Sequence, residues 1–324
     1  MSDVFQAAIV LKQGEIVAFP TETVYGLGAD AANPKAVAKI FALKGRPADH
    51  PVIVHIANAG ALDAWARDVP EAARTAAAAF WPGPLTLILR KAAHVSPSVT
   101  GGQDSVGLRC PSHPVAQALL AEFAKVGSGA IAAPSANKFG HVSPTAAQHV
   151  RDEFGPDLMI LDGGACEVGI ESTIVDLSRD APVLLRPGAI TREQLAHALG
   201  ATPRDADAAA PRASGTLASH YAPRTPLELV DEARLELRVR ELAAAGRRVA
   251  VLARGPGRAS AAFAWVAAEE SAAAYAHDLY AHLRALDVAG ADTILAVSPP
   301  AGPDWEGVID RLSRAAAGLE DDEP

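Results

Sequence analysis

Cysteine and aromatic residues are scarce in this chain, and their scarcity limits how it can be built. Only two cysteines, Cys110 and Cys166, occur among 324 residues. Two thiols cannot form a disulfide-stapled scaffold or a four-thiolate zinc site. Aromatics make up 5% of the residues, so Ala, Val, Leu and Ile must form the cores. At roughly 150 residues per domain, the length predicts about two domains.

Long apolar runs and an excess of positive charge are also missing. No uninterrupted apolar stretch reaches the ~18 residues of a membrane helix. Residues 1–6 lack the basic and then apolar pattern of a secretory signal. The chain has 29 Lys and Arg and 38 Asp and Glu, which gives a net charge of −9. This negative charge disfavours binding along nucleic acid or to an anionic membrane surface. We therefore expect a soluble, cytoplasmic protein with no membrane partner.

The local signatures of several enzyme classes are absent too. The chain has no Gly-x-x-x-x-Gly-Lys-Ser/Thr loop, no His-Glu-x-x-His helix and no Gly-x-Ser-x-Gly elbow. Gly26-x-Gly28-x-x-Ala31 fits the dinucleotide fingerprint, but six residues separate it from the preceding strand, which disfavours that interpretation. With no convincing nucleophile and no metal site, a nucleotide would react by direct displacement at phosphorus.

Short apolar runs alternate with helical patterns, which predicts an α/β fold with a twisted mixed sheet. The predicted strands are Glu15–Phe19, Val52–Ile56, Leu85–Leu89, Val106–Arg109, Ile131–Ala133, Leu158–Leu161, Thr173–Leu177 and Val183–Arg186. The predicted helices between and after them are Pro34–Leu43, Gly60–Ala66, Glu71–Phe80, Pro114–Lys125, Pro144–Glu153 and Thr191–Leu199.

The composition changes after this α/β region. Residues 203–224 are rich in Ala, Pro, Asp, Ser and Gly without a period, which predicts a linker. Beyond it, three strands alternate with three helices, and this pattern predicts a small Rossmann-like α/β domain. We therefore predict a catalytic domain over 1–202, the linker over 203–224 and the second domain over 225–324.

Cations and hydroxyls follow the strands of the first domain, where open α/β sheets bind ligands. Lys44 and Arg46 surround a glycine after a helix, and they suit either a polyphosphate or the helix dipole. Arg109 and Arg186 each end a strand, and each suits either a carboxylate or phosphate ligand or a surface salt bridge. Together they favour an anion site, although each segment alone fits ordinary turn and surface chemistry equally well.

The ordered set of these segments resembles the YrdC-like family. The segments that carry the resemblance are Pro20-Thr21-Glu22-Thr23-Val24-Tyr25-Gly26-Leu27, Lys44-x-Arg46, Ser105-Val106-Gly107-Leu108-Arg109, Ser135-x-Asn137, Glu171-Ser172-Thr173-Ile174-Val175-Asp176 and Leu185-Arg186-Pro187-Gly188. Ser219-His220-Tyr221-Ala222-Pro223 is similar to a linker segment of the longer, two-domain Sua-type members.

The resemblance implies an ATP-dependent synthesis of L-threonylcarbamoyladenylate from L-threonine, bicarbonate and ATP, with release of pyrophosphate. It implies magnesium on the phosphates of ATP, with no carboxylate cage for the metal in the sequence. It also implies that a tRNA threonylcarbamoyl transferase complex takes the product and modifies the adenosine next to the anticodon. Little or no direct tRNA binding is expected of this acidic chain.

The resemblance also implies roles for individual residues. The resemblance gives Lys44 and Arg46 the catalytic role. The positions matching threonine contacts are Thr23, His55, Arg109, Ala133 and Ser172. Those matching nucleotide contacts are Lys44, Arg46, His50, Ser105, Ser135, Asn137, Ser143, Arg186 and Tyr221, the last in a lid formed by the linker. Two positions depart from the family pattern: His50 replaces a small amide, and Ala213-Ser214-Gly215 lacks the usual proline before glycine.

Two other functions stay open on the sequence alone. A YrdC-like domain with a local basic face could be a non-catalytic module that binds double-stranded RNA, and salt-dependent RNA binding without pyrophosphate release would identify it. A carbamoyl-adenylate-forming enzyme would use the same chemistry. The chain lacks the acyl-phosphatase and zinc-finger segments of such proteins. Selectivity for threonine over serine is not decided by the sequence, because one methyl contact discriminates by only ~1–3 kcal/mol.

Overall fold

A computed structural model describes residues 3–217, 219–257 and 261–318. Ala218, in the predicted linker, lies outside the described residues, as do residues 258–260 and 319–324 of the predicted second domain. Within the described part, the chain divides into two compact units. The first is Met1–Phe139 with Pro144–Thr216, and the second is Gly140–Ser143 with Leu217–Pro324. The predicted boundaries at 202 and 224 stay a prediction.

The first unit is built around a ten-stranded mixed sheet. Its strands are β1 (Val17–Phe19), β2 (Gly26–Asp30), β3 (Ile53–Ile56), β4 (Leu85–Arg90), β5 (Ser105–Arg109), β6 (Ala130–Ala132), β7 (Met159–Ile160), β8 (Thr173–Asp176), β9 (Val183–Arg186) and β10 (Arg204–Asp205). Their order in the sheet is β10-β9-β8-β4-β5-β3-β6-β2-β1-β7. The predicted α/β class and mixed sheet are confirmed.

The described part of this unit has eight α-helices, one before β1 and seven between later strands. They are α1 (Asp3–Lys12), α2 (Pro34–Lys44), α3 (Leu62–Trp65), α4 (Glu71–Phe80), α5 (Pro97–Thr100), α6 (Pro114–Val126), α7 (Ala147–Phe154) and α8 (Arg192–Leu199). Helix α2 shows how local sequence sets the boundaries. Asn33 accepts hydrogen bonds from the amides of Lys35 and Ala36, Pro34 is the first helical residue, and Gly45 ends the helix at φ 66°.

The segment after β1 differs from the prediction. We predicted no strand between Glu15–Phe19 and Val52–Ile56, whereas Gly26–Asp30 forms strand β2 between β1 and β6. Gly28 is needed there for close packing, because a Cβ at this position would lie 2.8 Å from side-chain atoms of Phe19 and Ile131. Local propensity disfavours glycine in strands, and tertiary packing overrides it here.

The second unit has a four-stranded parallel sheet, as expected for a Rossmann-like fold. Its elements are β11 (Leu227–Val230), α9 (Glu232–Ala244), β12 (Val249–Arg254), β13 (Ala264–Ala268), α10 (Ala272–Asp287), β14 (Thr293–Val297) and α11 (Glu306–Ala316). The strand order is β11-β14-β12-β13. Strand β13 was not predicted. No helix in the described residues combines the length and the apolar character that a membrane span requires.

Candidate active site

One row of residues crosses five strands of the first unit. The register pairs His55 with Arg109, Arg109 with Thr86, Thr86 with Ile174, and Ile174 with Arg186. Residues that lie directly opposite each other in a sheet project from the same face. This face therefore carries His55, Arg109 and Arg186, which were all proposed from sequence. Thr86 and Ile174 lie between them, and we call these five residues the polar row.

Arg109 is a cation of the polar row that pairs with a carboxylate of the chain. Its side chain is 5% exposed, and its Nη2 donates a 2.6 Å hydrogen bond to Oε1 of Glu22. Among the described residues, its Nε is buried without a hydrogen-bond partner. From the sequence, we expected Arg109 to bind the carboxylate of a ligand. In the structure, the carboxylate of Glu22 already accepts a hydrogen bond from one nitrogen of its guanidinium.

His55 lies opposite Arg109 and is buried as a neutral imidazole. Burial, and then the charge of Arg109, lower its pKa to about 3. Among the described residues, its Nδ1 has no hydrogen-bond partner. Buried polar atoms are almost always paired, so two neighbouring ones without a partner indicate the position of a polar ligand. Arg109 and His55 are both positions that the resemblance assigned to threonine.

The other positions proposed for threonine lie around this row. Ser172 shares a 2.8 Å hydrogen bond with the hydroxyl of Thr86. The hydroxyls of Thr23 and Thr21 lie 2.9 Å apart in the segment that also carries Glu22. Ala133 is buried just after β6, where its amide donates to the carbonyl of Ile53.

Lys44 and Arg46 are both buried, and Lys44 lies within the helix that we predicted to end before it. Lys44 is the last residue of α2, and its Nζ donates to the carbonyls of Ser135 (2.6 Å) and Asn137. Burial, and then the charge of Arg46, hold the pKa of Lys44 well below its usual value. An anion beside Lys44 would offset both effects, so this environment suits a phosphate.

Ser214 brings Arg46 and Arg186 together. The Nη2 of Arg46 donates to the hydroxyl of Ser214 (3.3 Å), and the Nη1 of Arg186 donates to its carbonyl (2.8 Å). Arg186 also donates from Nε to the carbonyl of Ser172 (3.1 Å). Two cations proposed for the nucleotide therefore meet at one residue of the predicted linker, and sequence reasoning missed this residue as a contact.

The chain from 203 to 216 is not the unstructured linker that its composition indicated. Arg204 and Asp205 pair with β9, and Ala210 and Ala213 pack on an apolar cluster of the sheet face. Arg212 donates to the carboxylate of Asp49 and to the carbonyl of Gly101. This segment therefore belongs to the first unit in both hydrogen bonding and packing.

The remaining nucleotide positions divide into three groups. The first group lies near Lys44 and Arg46, and it consists of Ser135, Asn137 and the half-buried His50. Burial, and then the positive charge of Arg46, lower the pKa of His50. Ser105 lies four residues from Arg109 on β5, about 13 Å along the strand. Ser143 and Tyr221 belong to the second unit.

Tyr221 packs in the second unit as a buried ring. Its ring stacks on Tyr280 with centroids 5.7 Å apart, and the guanidinium of Arg311 lies 5.3 Å from its centroid. Its backbone adopts φ 63°, an uncommon value for a residue with a Cβ. Its role as a lid over nucleotide stays a prediction.

Comparison with known proteins assigns the chain to a family. A model described as "Telomere recombination", whose name combines Sua5, YciO and YrdC, matches residues 9–188. The chain belongs to this family. A second model, described as the C-terminal domain of threonylcarbamoyl-AMP synthase, matches residues 190–317. The resemblance inferred from the motifs is therefore confirmed over both parts of the chain.

Full-length relatives share both parts of the chain with it. A Bacillus subtilis protein named threonylcarbamoyl-AMP synthase is 42% identical, over 97% of this chain and 92% of its own length. One of the same name from Pyrococcus abyssi is 40% identical over 96% and 93%. The crystal structure of P. abyssi Sua5 complexed with L-threonine has a TM-score of 0.90 at 36% identity, covering 98% of this chain and 95% of that one.

Glu22 is the buried partner of Arg109, and sequence reasoning did not single it out. It lies inside a segment singled out for its hydroxyls and glycines, yet its carboxylate is 2% exposed and binds Arg109. The available signal was an acidic residue three positions after a buried strand. Its partner, 87 positions away, was not visible in the local pattern.

Proposed function

We propose that this chain is a threonylcarbamoyl-AMP synthase, a transferase that supplies tRNA modification. Its relatives carry that name at 40–42% identity over nearly their whole length. In the site, the observation that carries the proposal is the pair of buried polar atoms without partners, Arg109 Nε and His55 Nδ1. They lie on the same sheet face as Arg186, so one face offers donors for a carboxylate and for a phosphate.

The proposed chemistry joins threonine, bicarbonate and ATP in two steps. The amine of threonine and bicarbonate form a carbamate and water. An oxygen of the carbamate then attacks the α-phosphorus of ATP, and pyrophosphate leaves with the electron pair of the broken P–O bond. Arg109 would hold the carboxylate of threonine, so that its amine is placed for both steps.

The buried cations would stabilise the charge that develops during transfer. Lys44, Arg46 and Arg186 are at most 9% exposed, and charge stabilisation is strongest where water is excluded. Burial on the sheet face would also protect the carbamate from water. These features support ATP as the second substrate and these three residues as its contacts.

Magnesium and the acceptor of the product belong to the same proposal. Among the described residues, no group of three or more His, Cys, Asp or Glu side chains could hold a metal ion. The residues present fit a magnesium ion that enters on the phosphate oxygens of ATP, where it would neutralise their charge. We propose that the product passes to a tRNA threonylcarbamoyl transferase complex. The cytoplasmic location stays a prediction.

Pyrophosphate release by purified protein tests the function. With ATP, magnesium, threonine and bicarbonate, we expect release that stops when either threonine or bicarbonate is omitted. Mass spectrometry should identify threonylcarbamoyl-AMP. Release that is independent of threonine, or RNA binding without any release, would contradict the proposal and favour the RNA-binding module.

A further inference from the structure

Glu22 is an acidic residue buried beside a site for an anionic ligand. It is 2% exposed, and it follows β1 in the segment Pro20-Thr21-Glu22-Thr23. Both of its carboxylate oxygens are used: Oε1 accepts from Arg109 at 2.6 Å, and Oε2 accepts from the amide of Ser112 at 3.0 Å. Its carbonyl accepts from the amide of Val168 at 2.7 Å. Two donors therefore hold the carboxylate, and a third holds the backbone of Glu22.

A buried ion pair of this kind contributes little net stability by itself. Removing two charges from water costs about as much as their attraction returns, so such pairs are often retained for orientation. Here Glu22 contacts only Nη2 of Arg109 and leaves Nε buried, without a partner among the described residues. The guanidinium is held at one end while a donor at its other end stays available.

We propose that Glu22 is a positioning residue for substrate binding, which acts on the amino-acid carboxylate through Arg109. It fixes the guanidinium so that Nε faces the substrate, and it neutralises the buried cation while the site is empty of substrate. The proposal rests on the proposed function, because it takes the ligand of Arg109 to be the carboxylate of threonine.

An amide cannot replace the Glu22 carboxylate. Arg109 Nη2 and the Ser112 amide are both donors, and a glutamine has one carbonyl oxygen to offer two donors. In Glu22→Gln, the NH2 group of the new side chain faces one of these two N–H donors. Arg109 then also loses the negative charge that neutralises its buried guanidinium. We expect the guanidinium to leave its position and the clamp to be lost.

The test compares threonine with L-threoninamide, which keeps the amine and side chain but lacks the carboxylate. For Glu22→Gln, we expect kcat/KM for threonine to fall about tenfold or more, while that for threoninamide changes about twofold or less. The KM for ATP should stay near the wild-type value. Arg109→Gln should collapse the same preference, and the double variant should be no worse than Arg109→Gln alone.

Controls separate positioning from folding. Asp176→Asn removes another fully buried carboxylate, which lies on β8 and pairs with Arg179. It should lower the melting temperature without changing the preference for threonine. Glu22→Asp keeps a carboxylate opposite Arg109, on a side chain that is one methylene shorter. It should fold even where Glu22→Gln does not, and it should show an intermediate preference.

The outcomes distinguish this proposal from the proposed function. If the wild-type protein releases no pyrophosphate with threonine, the proposed function fails, and this proposal fails with it. If the wild-type protein is active but the Glu22 variants keep its preference for threonine, or bind threonine more tightly, only the role of Glu22 is overturned. Additive effects in the double variant would also overturn it.

Discussion

The two units treat buried charge differently. The described part of the first unit buries four cations, Lys44, Arg46, Arg109 and Arg186, all at most 9% exposed. In the second unit, the fully buried cation among the described residues is Arg311, which Asp310 pairs at 2.6 Å. The first unit therefore concentrates buried cations, as our proposal of an anion site requires, whereas Arg311 is neutralised by its neighbour Asp310.

This difference shows how to recognise a site when no ligand is present. A buried cation that a neighbouring carboxylate satisfies and that packs on an aromatic ring, as Arg311 does on Tyr221, acts as part of the core. Around Arg109 and His55, by contrast, polar atoms stay without partners in the described residues despite burial. Burial alone does not distinguish Arg109 from Arg311, but the buried Nε of Arg109, which has no partner among the described residues, does.

The largest expected effect concerns the second unit. Arg311→Met should lower the free energy of unfolding by about 3 kcal/mol, because it removes one partner of a buried ion pair and a cation over Tyr221. Calorimetric melting would measure this loss. Arg240→Ala, which breaks an exposed pair with Glu236, should cost less than about 1 kcal/mol. If Arg311→Met leaves the preference for threonine unchanged while melting earlier, the comparison stands.

The next effect belongs to the first unit. Lys44→Ala should reduce kcat/KM for ATP about a hundredfold, close to 2.7 kcal/mol, because Lys44 would neutralise the transferred phosphate. Lys39→Ala on the same helix is the matched control, since Lys39 is exposed and pairs with Glu15. Steady-state pyrophosphate release measures both. Equal rates for the two variants would remove Lys44 from the site.

A pH effect follows from His55. Its pKa is about 3 in the folded chain and near 6.5 when the chain unfolds, so the unfolded state binds the extra proton between these values. Stability contributed by neutral His55 is present above pH 6.5, and it is lost as the pH falls toward 3, by up to about 1.4 kcal/mol per pH unit.

The wild type and His55→Gln should therefore differ in slope. Urea unfolding at pH 7, 6, 5 and 4 should show a steeper loss of stability in the wild type, because carboxylates titrate equally in both. Parallel curves would contradict a buried neutral histidine. Because His55 stays neutral at working pH, its titration should leave no break near pH 6.5 in the KM for threonine.

Much of the fold could be predicted from the sequence, because apolar runs and caps are local signals. The strands from Val52 to Arg186 and the parallel unit beyond Leu227 followed from such runs. Strand β2 could not be predicted, since Gly28 is tolerated only where Phe19 and Ile131 close on it. Helix α1 and strand β13 were not predicted either.

The candidate site shows the same limit. Motifs identified Arg109, Lys44 and Arg186 because those residue types sit at strand and helix ends. The motifs could not reveal that Glu22 holds Arg109 or that Ser214 meets Arg46, because those partners lie 87 and 168 residues apart. Pattern identifies the chemistry of a side chain, and the fold decides which of its donors are already used.

The smallest effect tests which unit the linker belongs to. Ser214→Ala removes the hydroxyl that donates to the Pro51 carbonyl (2.8 Å) and accepts from Arg46, while the carbonyl bond to Arg186 remains. Losing these two hydrogen bonds costs at least about 1 kcal/mol, so local opening should become at least about fivefold more frequent. Hydrogen exchange of residues 203–216 would measure this opening. Thr216→Ala is the control, because its hydroxyl bonds only locally, to Ala213.

If ATP slows exchange in the wild type but not in Ser214→Ala, the segment responds to nucleotide through Ser214. Equal exchange with and without ATP would leave it a fixed part of the first unit, and the predicted lid would have to lie elsewhere.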